Sequence, residues 1–248
     1  MKNALQVMWH RKIKEYLRNR QRLFTSFVQP ILFLIAFGFG IGSNFESTNG
    51  VNYIQYLLPG IVGMTLLMSS TMDGMSLIWD KKFGFLKETL IAPVSRTQLL
   101  FGRCLGGATT ATFQGIVVLF LGYFMGFRIL NWTMFPIAII FIFATALLFS
   151  LLGTVIATKF DDMQSFPTIM NLLMMPMMFL SSAFFVTENY PSVLQWIIKI
   201  NPFDYCVNIL RFFLSGIETN LSLEIGILFG IIILLGIIGT LRFEKIEA

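Results

Sequence analysis

Residues 133–156 read TMFPIAIIFIFATALLFSLLGTVI, a run without a single charged side chain. A transmembrane α-helix needs about 20 consecutive apolar residues to cross the hydrocarbon core of a bilayer, and this run is long enough. The whole 248-residue chain has the same character, with 56% hydrophobic and 12% charged residues and a mean hydropathy of +0.75. Soluble domains carry about 25% charged residues. The composition therefore predicts an all-α integral membrane protein.

Further apolar runs of similar length lie on both sides of this one and predict six transmembrane helices in all. The approximate bounds of the six are 23–42, 56–77, 105–126, 133–156, 166–186 and 221–241. We therefore divide the chain into a cytoplasmic amphipathic interfacial helix at 1–22 and a transmembrane domain at 23–248.

The Lys and Arg residues are distributed unevenly over the segments between these runs. Seven precede the first run, five lie between the second and third, one follows the fourth and two follow the last, so fifteen of the 18 share one side. Such an excess is typical of the cytoplasmic side of a membrane protein. We therefore expect a multi-pass protein of the cell membrane with both termini in the cytoplasm. The net charge of +5 then reflects topology and lipid rather than nucleic acid.

The segment 3–22 has the spacing of an amphipathic helix. One face carries the apolar and aromatic residues Leu5, Met8, Trp9, Ile13, Tyr16 and Leu17, and most basic residues cover the remainder. Such a helix lies in the membrane interface, with its apolar side in lipid and its cations toward anionic headgroups. It either anchors and orients the first span or also contributes to a functional surface.

The segment 187–216, between the fifth and sixth spans, is apolar enough to suggest a further span. The charged residues Lys199, Asp204 and Arg211 interrupt its apolar part. Because a charge near the bilayer centre costs about 2.5–3.5 kcal/mol, a full crossing is disfavoured. Pro191 and Pro202 divide the segment into two short helices. We expect an extracellular re-entrant helical hairpin.

The loop 80–103 is the most informative connector, and it reads DKKFGFLKETLIAPVSRTQLLFGR. It is rich in large apolar residues for a cytoplasmic segment. Ser95 and Gln98 have capping-box spacing, which predicts a new helix that continues into the third span. A short helix with apolar and charged groups at the inner face is suited to docking, although a tightly packed loop is an equally good reading.

Enzymatic and metal chemistry have little support in the sequence. The single histidine, His10, lies in a basic stretch, and Cys104 and Cys206 are too far apart in sequence for a disulfide framework or a metal site. A phosphate-binding loop needs a Gly-Lys-Ser/Thr ending, and the chain contains no Gly-Lys dipeptide. We predict no catalytic residue, no metal ligand and no cofactor in this chain.

Two features inside the spans favour transport. Asp73 is a carboxylate within a predicted span, where it would serve an ion-coupled secondary carrier or be a packing residue. The fifth span and its flank are rich in methionine and phenylalanine, which suits a promiscuous apolar path or plain packing. The candidate path residues are Met174, Met178, Phe179 and Phe184. A path without fixed charge favours a hydrophobic or amphipathic substrate.

Several short motifs together resemble those of the ABC-2 type transporter permeases, and most closely the drug-exporting branch typified by daunorubicin-resistance permeases. The motifs are Leu58-Pro59-Gly60, Asp80, Gly84, Glu88, the run LIAPVSR at 90–96, and Gly102-Arg103. Tyr190-Pro191, Asn201-Pro202-Phe203 and Arg211 also resemble the last extracellular loop of that family. The resemblance covers about the whole chain.

The resemblance implies a homodimer of permeases with two copies of a separate cytosolic ABC ATPase, which would bind ATP and Mg. It also implies a coupling helix in the loop between spans two and three. The residues that would contact the ATPase are Lys87, Glu88, Leu90, Ala92, Pro93, Ser95 and Arg96. Export of a polysaccharide or polyol-phosphate is the alternative within the family.

Overall fold

The computed structural model describes residues 4–40, 53–91, 94–185 and 190–245. Over these ranges the chain forms α-helices and no β-strand. The helices are α1 (Ala4–Arg18), α2 (Arg20–Gly40), α3 (Tyr53–Met72), α4 (Met75–Lys82), α5 (Phe85–Ile91), α6 (Arg96–Phe124), α7 (Phe135–Ala157), α8 (Ser165–Phe179), α9 (Ser192–Ile200), α10 (Pro202–Ser215) and α11 (Leu221–Glu244). The prediction of an all-α protein is confirmed for this part of the chain.

Four helical segments of the described ranges are long and apolar enough to cross a membrane. They are Tyr53–Lys82, which combines α3 and α4, Arg96–Phe124, Phe135–Ala157 and Leu221–Phe243. A fifth is added if α1 and Leu23–Gly38, which meet at 75°, count as one bent span. The 15 residues of α8 extend about 22 Å, less than the hydrocarbon thickness of about 30 Å. The six predicted spans thus become four or five candidates.

The helix predicted over 166–186 ends early, at Phe179. Around this point, carbonyl groups of the chain bond with a side chain that is distant in sequence. The Asn201 amide nitrogen donates to the carbonyl oxygens of Met177 and Leu180, at 2.6 and 2.7 Å. The chain can leave the helix here because these carbonyls keep hydrogen-bond partners.

The prediction of two short helices within 187–216 is confirmed for the described residues, which form α9 and α10. The break falls at Asn201, whose side-chain oxygen accepts a hydrogen bond from the Phe203 N–H at 3.0 Å. Pro202 is the first residue of α10, a position where its missing N–H costs nothing. Residues 187–189 lie outside the described ranges.

Helix α3 forms the centre of the bundle. Its apolar side chains are buried along most of its length, and α6, α7, α10 and α2 pack around it. In contrast, α11 is apolar on all sides and mostly exposed, as expected for a helix that contacts lipid. The core therefore lies between α3, α6, α7 and α10.

Two glycines allow α7 to touch the junction between α3 and α4. A methyl group on Gly74 would lie 2.5 Å from the Gly153 carbonyl oxygen, and one on Gly153 would overlap the Thr71 carbonyl group. Backbone therefore packs on backbone at this crossing, which leaves no space for a side chain.

We predict that Gly153→Ala destabilises the fold, because the added methyl group forces the backbones of α7 and α3 apart. Overpacking of this kind costs about 1–3 kcal/mol. Thermal unfolding in detergent micelles measures the effect. Gly230→Ala is the matched control, since a methyl group there meets open space. Equal stability of the two variants would contradict the proposed close crossing.

Candidate functional site

The loop between α4 and α6 contains the short helix α5, which packs mainly on α4. Gly84 has a φ of 80° and provides the left-handed turn between α4 and α5. The side chains of Trp79, Phe83 and Phe85 are 48%, 59% and 52% exposed. Lys87 and Glu88 are also exposed. We call these five residues the α4–α5 surface.

The remaining predicted coupling residues are only partly described. The Ser95 hydroxyl accepts a hydrogen bond from the Gln98 N–H at 3.2 Å and caps α6, so the predicted helix start is confirmed. Arg96 is the first residue of α6 and is half-buried. Ala92 and Pro93 lie outside the described residues, as does the side chain of Leu90.

A network of five charged side chains lies directly behind the α4–α5 surface. We call it the charge network, and its members are Arg11, Lys12, Asp73, Asp80 and Arg103. Arg11 bonds with Asp80 at 2.8 Å, and Arg103 pairs with the other oxygen of Asp80. Lys12 bonds with Asp73 at 2.9 Å. The network therefore joins α1, the α3–α4 junction, α4 and α6.

Burial makes these pairs interdependent. Arg103 and Lys12 are nine-tenths or more buried, while Arg11 remains 43% exposed. Ser76 links the two carboxylates, since its hydroxyl accepts hydrogen bonds from Lys12 and from Arg103, the latter at 3.2 Å. Removing one partner of a buried pair leaves a charge without compensation, which is strongly destabilising.

Glycines on α6 admit α1 to this position. A methyl group on Gly106 would lie 2.5 Å from the Lys12 Cβ, and one on Gly102 would lie 2.7 Å from the Leu5 carbonyl oxygen. The buried face of α1 consists of Met8, Lys12 and Tyr16. The helix itself was predicted. Met8 and Tyr16 of its predicted apolar face pack on α6, whereas Leu17 of that face is 57% exposed.

Asp73, the predicted candidate for ion coupling, lies in the turn between α3 and α4. Its Oδ1 atom bonds with Lys12, and its Oδ2 atom is buried without a hydrogen-bond partner in the described structure. Gly107 of α6 leaves the space that Oδ2 occupies. The structure thus shows Asp73 as the acidic member of a buried ion pair.

A second attachment links α4 to the segment after α7. The Lys81 ammonium group donates to the Thr158 carbonyl oxygen at 2.8 Å and pairs with Asp161 at 3.2 Å. In the same segment, hydrogen bonds from the Ser165 hydroxyl and from the N–H groups of Gln164 and Ser165 lower the pKa of Asp162. The Lys81 contacts hold α4 against the segment that follows α7.

The other end of α3 contacts a polar cluster formed around Arg211. Its guanidinium group donates to the Ser182 hydroxyl at 2.9 Å and to the Ala183 carbonyl oxygen at 3.1 Å. It also lies 3.7 Å from the centre of the Tyr56 ring. Asp204 accepts from the Ser182 N–H at 2.6 Å. We call this arrangement the Arg211 clamp, because it fixes the chain that leaves α8.

The candidate path residues do not form one exposed surface. Met174, Met178 and Phe184 are buried inside the bundle, and Phe179 is 42% exposed. The Phe184 ring contacts Phe37 of α2, with centroids 5.3 Å apart, and lies 6.4 Å from Phe179. Phe184 and Phe179 therefore join the end of α8 to α2 within the chain.

Sequence reasoning did not identify the charge network as a site. Asp80 and Arg103 were noted only as motif residues, and their pairing spans 23 positions along the chain. Lys12 was counted among the cations directed toward lipid headgroups. The signal present in the sequence was a carboxylate and two basic residues near helix ends on the same predicted side of the membrane. Such a signal is too general to specify which residues pair.

Four helical segments of the described residues are long and apolar enough to cross a membrane, and ion pairs join α1, α4 and α6 at one end. This is the organisation of a polytopic membrane protein. The chain belongs to the ABC-2 type transporter family, whose sequence profile matches residues 3–214. It is therefore a membrane transport permease of that family, and such a permease implies an ABC transporter with an ATPase partner.

Named relatives agree with this assignment. The inner membrane transport permease YadH of Escherichia coli is 28% identical over 221 residues, covering 87% of this chain and 84% of that protein. The putative transport permease ycf38 of Cyanophora paradoxa is 28% identical over 242 residues, covering 90% and 82%. Nodulation protein J of Rhizobium leguminosarum bv. viciae is 24% identical over 202 residues, covering 80% and 77%.

We predict that Lys12→Met lowers the free energy of unfolding by about 3 kcal/mol, because it leaves the buried Asp73 carboxylate without its cation. The double variant Lys12→Met with Asp73→Asn should recover most of this loss. Unfolding in detergent, followed by tryptophan fluorescence, measures both. Lys14→Met is the control on the same helix, because Lys14 is exposed. A Lys12→Met protein as stable as this control would refute the role of the pair.

Proposed function

We propose that this permease is the membrane-spanning half of an ATP-driven exporter, working as a homodimer with two copies of a separate cytosolic ATPase. The observation that carries the proposal is the α4–α5 surface, which exposes aromatic and charged groups on the segment that connects α3 to α6. Exposed apolar patches rimmed by charge are typical of protein interfaces. ATP and Mg would be bound by the partner, which supplies the energy of hydrolysis.

The charge network supports a mechanical role for this surface. A force on α5 acts on α4 through the tight turn at Gly84. From α4 it passes through Asp80 to Arg103 on α6 and to Arg11 on α1. Because these contacts are ionic and largely buried, α4, α6 and α1 respond as one body. Closure of the ATPase pair would therefore tilt α6, whose length is that of a full span.

We propose six spans, in which α2 and α8 are added to the four candidate segments, and an α9–α10 hairpin that dips into the outer leaflet. The exposed apolar residues of α2 and α8 support this, because they would otherwise face water. Those residues are Phe24, Val28, Leu32, Ile169, Leu172 and Met175. The distribution of Lys and Arg supports cytoplasmic termini, which places α5 on the side of the ATPase.

For the cargo we propose a hydrophobic or amphipathic molecule, drug-like or lipid-like, as in the daunorubicin-resistance branch. The support is the aromatic contact of Phe184 with Phe179 and with Phe37 of α2, together with the partial exposure of Phe179. Polysaccharide or polyol-phosphate export is the alternative within the family. An ion-coupled carrier centred on Asp73 is not favoured, since Lys12 already neutralises that carboxylate.

Coupling is tested by purifying the tagged permease from its native membranes in mild detergent. We expect an ABC ATPase to accompany the wild type, and Lys87→Glu and Arg96→Glu to reduce its yield roughly tenfold, because reversed charges at an interface repel. Lys159→Glu is the matched control, since Lys159 is exposed outside the α4–α5 surface. Absence of any ATPase under conditions that preserve other membrane complexes would overturn the proposal.

The cargo is tested on the purified complex by measuring ATP hydrolysis with a panel of lipophilic compounds. We expect several-fold stimulation, and a reduced response in Phe179→Ala because this side chain borders the proposed path. Phe229→Ala on α11 is the control of matched exposure, at 44% against 42% for Phe179. If no lipophilic compound stimulates hydrolysis, the drug-like cargo is wrong while the coupling proposal stands.

A further inference from the structure

A groove of about 1200 Å³ runs along α1 to the beginning of α2. It follows the side of α1 on which His10, Lys14 and Arg18 are exposed. The groove is lined by Gln6, Val7, Trp9, His10, Arg11, Lys14, Glu15, Arg18, Asn19 and Arg20. Neither the fold nor the proposed coupling to an ATPase explains why this surface is concave and basic.

The groove carries a surplus of positive charge. Four cations line it, and Glu15 is the single acid among its lining residues. Arg11 is partly neutralised by Asp80. Lys14, Arg18 and Arg20 form no ion pair with any residue of the described ranges, so their charge is available to an anion.

Apolar surface borders the same groove. Val7 lines it and is 50% exposed, and Trp9 lies beside it with its indole nitrogen bonded to Thr109 at 3.0 Å. Immediately beyond Arg20, the first turns of α2 expose Phe24 and Val28 by 73% and 53%. A ligand in the groove would therefore meet cations at one side and apolar side chains at the other.

We propose that this groove binds the phosphate headgroup of an anionic phospholipid, with Lys14, Arg18 and Arg20 as its ligands and the acyl chains along α2. Arg20 precedes the exposed apolar face of α2 by one helical turn, so the cations lie at the depth of lipid headgroups. A Lys or Arg close to an anionic membrane surface contributes attraction toward its lipids. A free phosphate ion would use the cations but leave the apolar border unused.

The bound lipid would hold the 75° bend between α1 and α2. Through Lys12 and Arg11, α1 is also part of the charge network. The membrane's content of anionic lipid would thereby influence the same helices on which the ATPase acts. This consequence concerns regulation and does not depend on the identity of the cargo.

The test is native mass spectrometry of the full-length permease in mild detergent, with phosphatidylglycerol and phosphatidylcholine of identical acyl chains. Wild type should retain phosphatidylglycerol in preference to phosphatidylcholine. Combined Lys14→Gln, Arg18→Gln and Arg20→Gln should weaken phosphatidylglycerol binding roughly tenfold or more. Combined Lys82→Gln, Lys159→Gln and Lys245→Gln removes the same charge from exposed positions outside the groove and should leave binding unchanged.

Glu15→Gln separates the proposal from a failure to fold. It removes the acid of the groove and should tighten phosphatidylglycerol binding, an effect that misfolding cannot produce. Equal phosphatidylglycerol binding by wild type and the triple groove variant would overturn the proposal. Displacement of the lipid by millimolar inorganic phosphate would show a free-anion site instead. A groove variant that keeps the lipid but loses the ATPase would show a protein-docking surface and also refute the proposal.

Discussion

The pairing of Asp73 and Asp80 with cations from other helices determines how one end of this protein is built. Both carboxylates belong to the continuation of α3, whereas their partners come from α1 and α6. Charges removed from water are tolerated only while their counter-ions are in place. The α3–α4 junction, α6 and α1 must therefore assemble together. The position of α5 and the direction in which α1 leaves the bundle follow from that assembly.

Close backbone packing and ionic pairing act together in this region. Gly102 and Gly106 bring α1 near enough for Lys12 to reach Asp73, and Gly107 leaves the space for that carboxylate. Gly74 and Gly153 hold the α3–α4 junction against α7. A bundle held in this way transmits displacement from one helix to the next, because a packed interface cannot deform gradually. This property suits a membrane subunit whose helices are moved by a separate partner protein.

The sequence predicted the elements whose causes are local. Apolar runs long enough to match the thickness of a bilayer, and free of charge over most of their length, identified α6, α7 and α11. The capping pair Ser95 and Gln98 identified where α6 begins. Pro202 identified the break between α9 and α10. The burial of Lys12 was not predicted, because its partner lies 61 positions away and its charge assigned it to the polar face. Helical periodicity places position 12 on the same face as Met8 and Tyr16, one turn from each.

The early end of α8 was missed for the same reason, and the sequence left open whether Met174 and Met178 line a path or pack in the core. A Met-rich helix has one composition whether it lines a path or packs in a core. Only the positions of α3 and α10 decide between the two. The end of α8 depends likewise on Asn201, which is distant in sequence, so no local signal at 180–186 indicates it.

The Arg211 clamp has a consequence for the order in which the protein is made. When Ser182 and Ala183 leave the ribosome, the guanidinium group that bonds with them lies 29 and 28 positions later in the chain. The Ser182 carbonyl group already has a partner in the Tyr56 hydroxyl, at 2.7 Å, but the Ala183 carbonyl group bonds with Arg211. A carbonyl group without a partner is costly in hydrocarbon, so the segment after α8 must stay hydrated during insertion until α10 has been synthesised. Biogenesis of this permease therefore includes a step that binds a later helix to an earlier one.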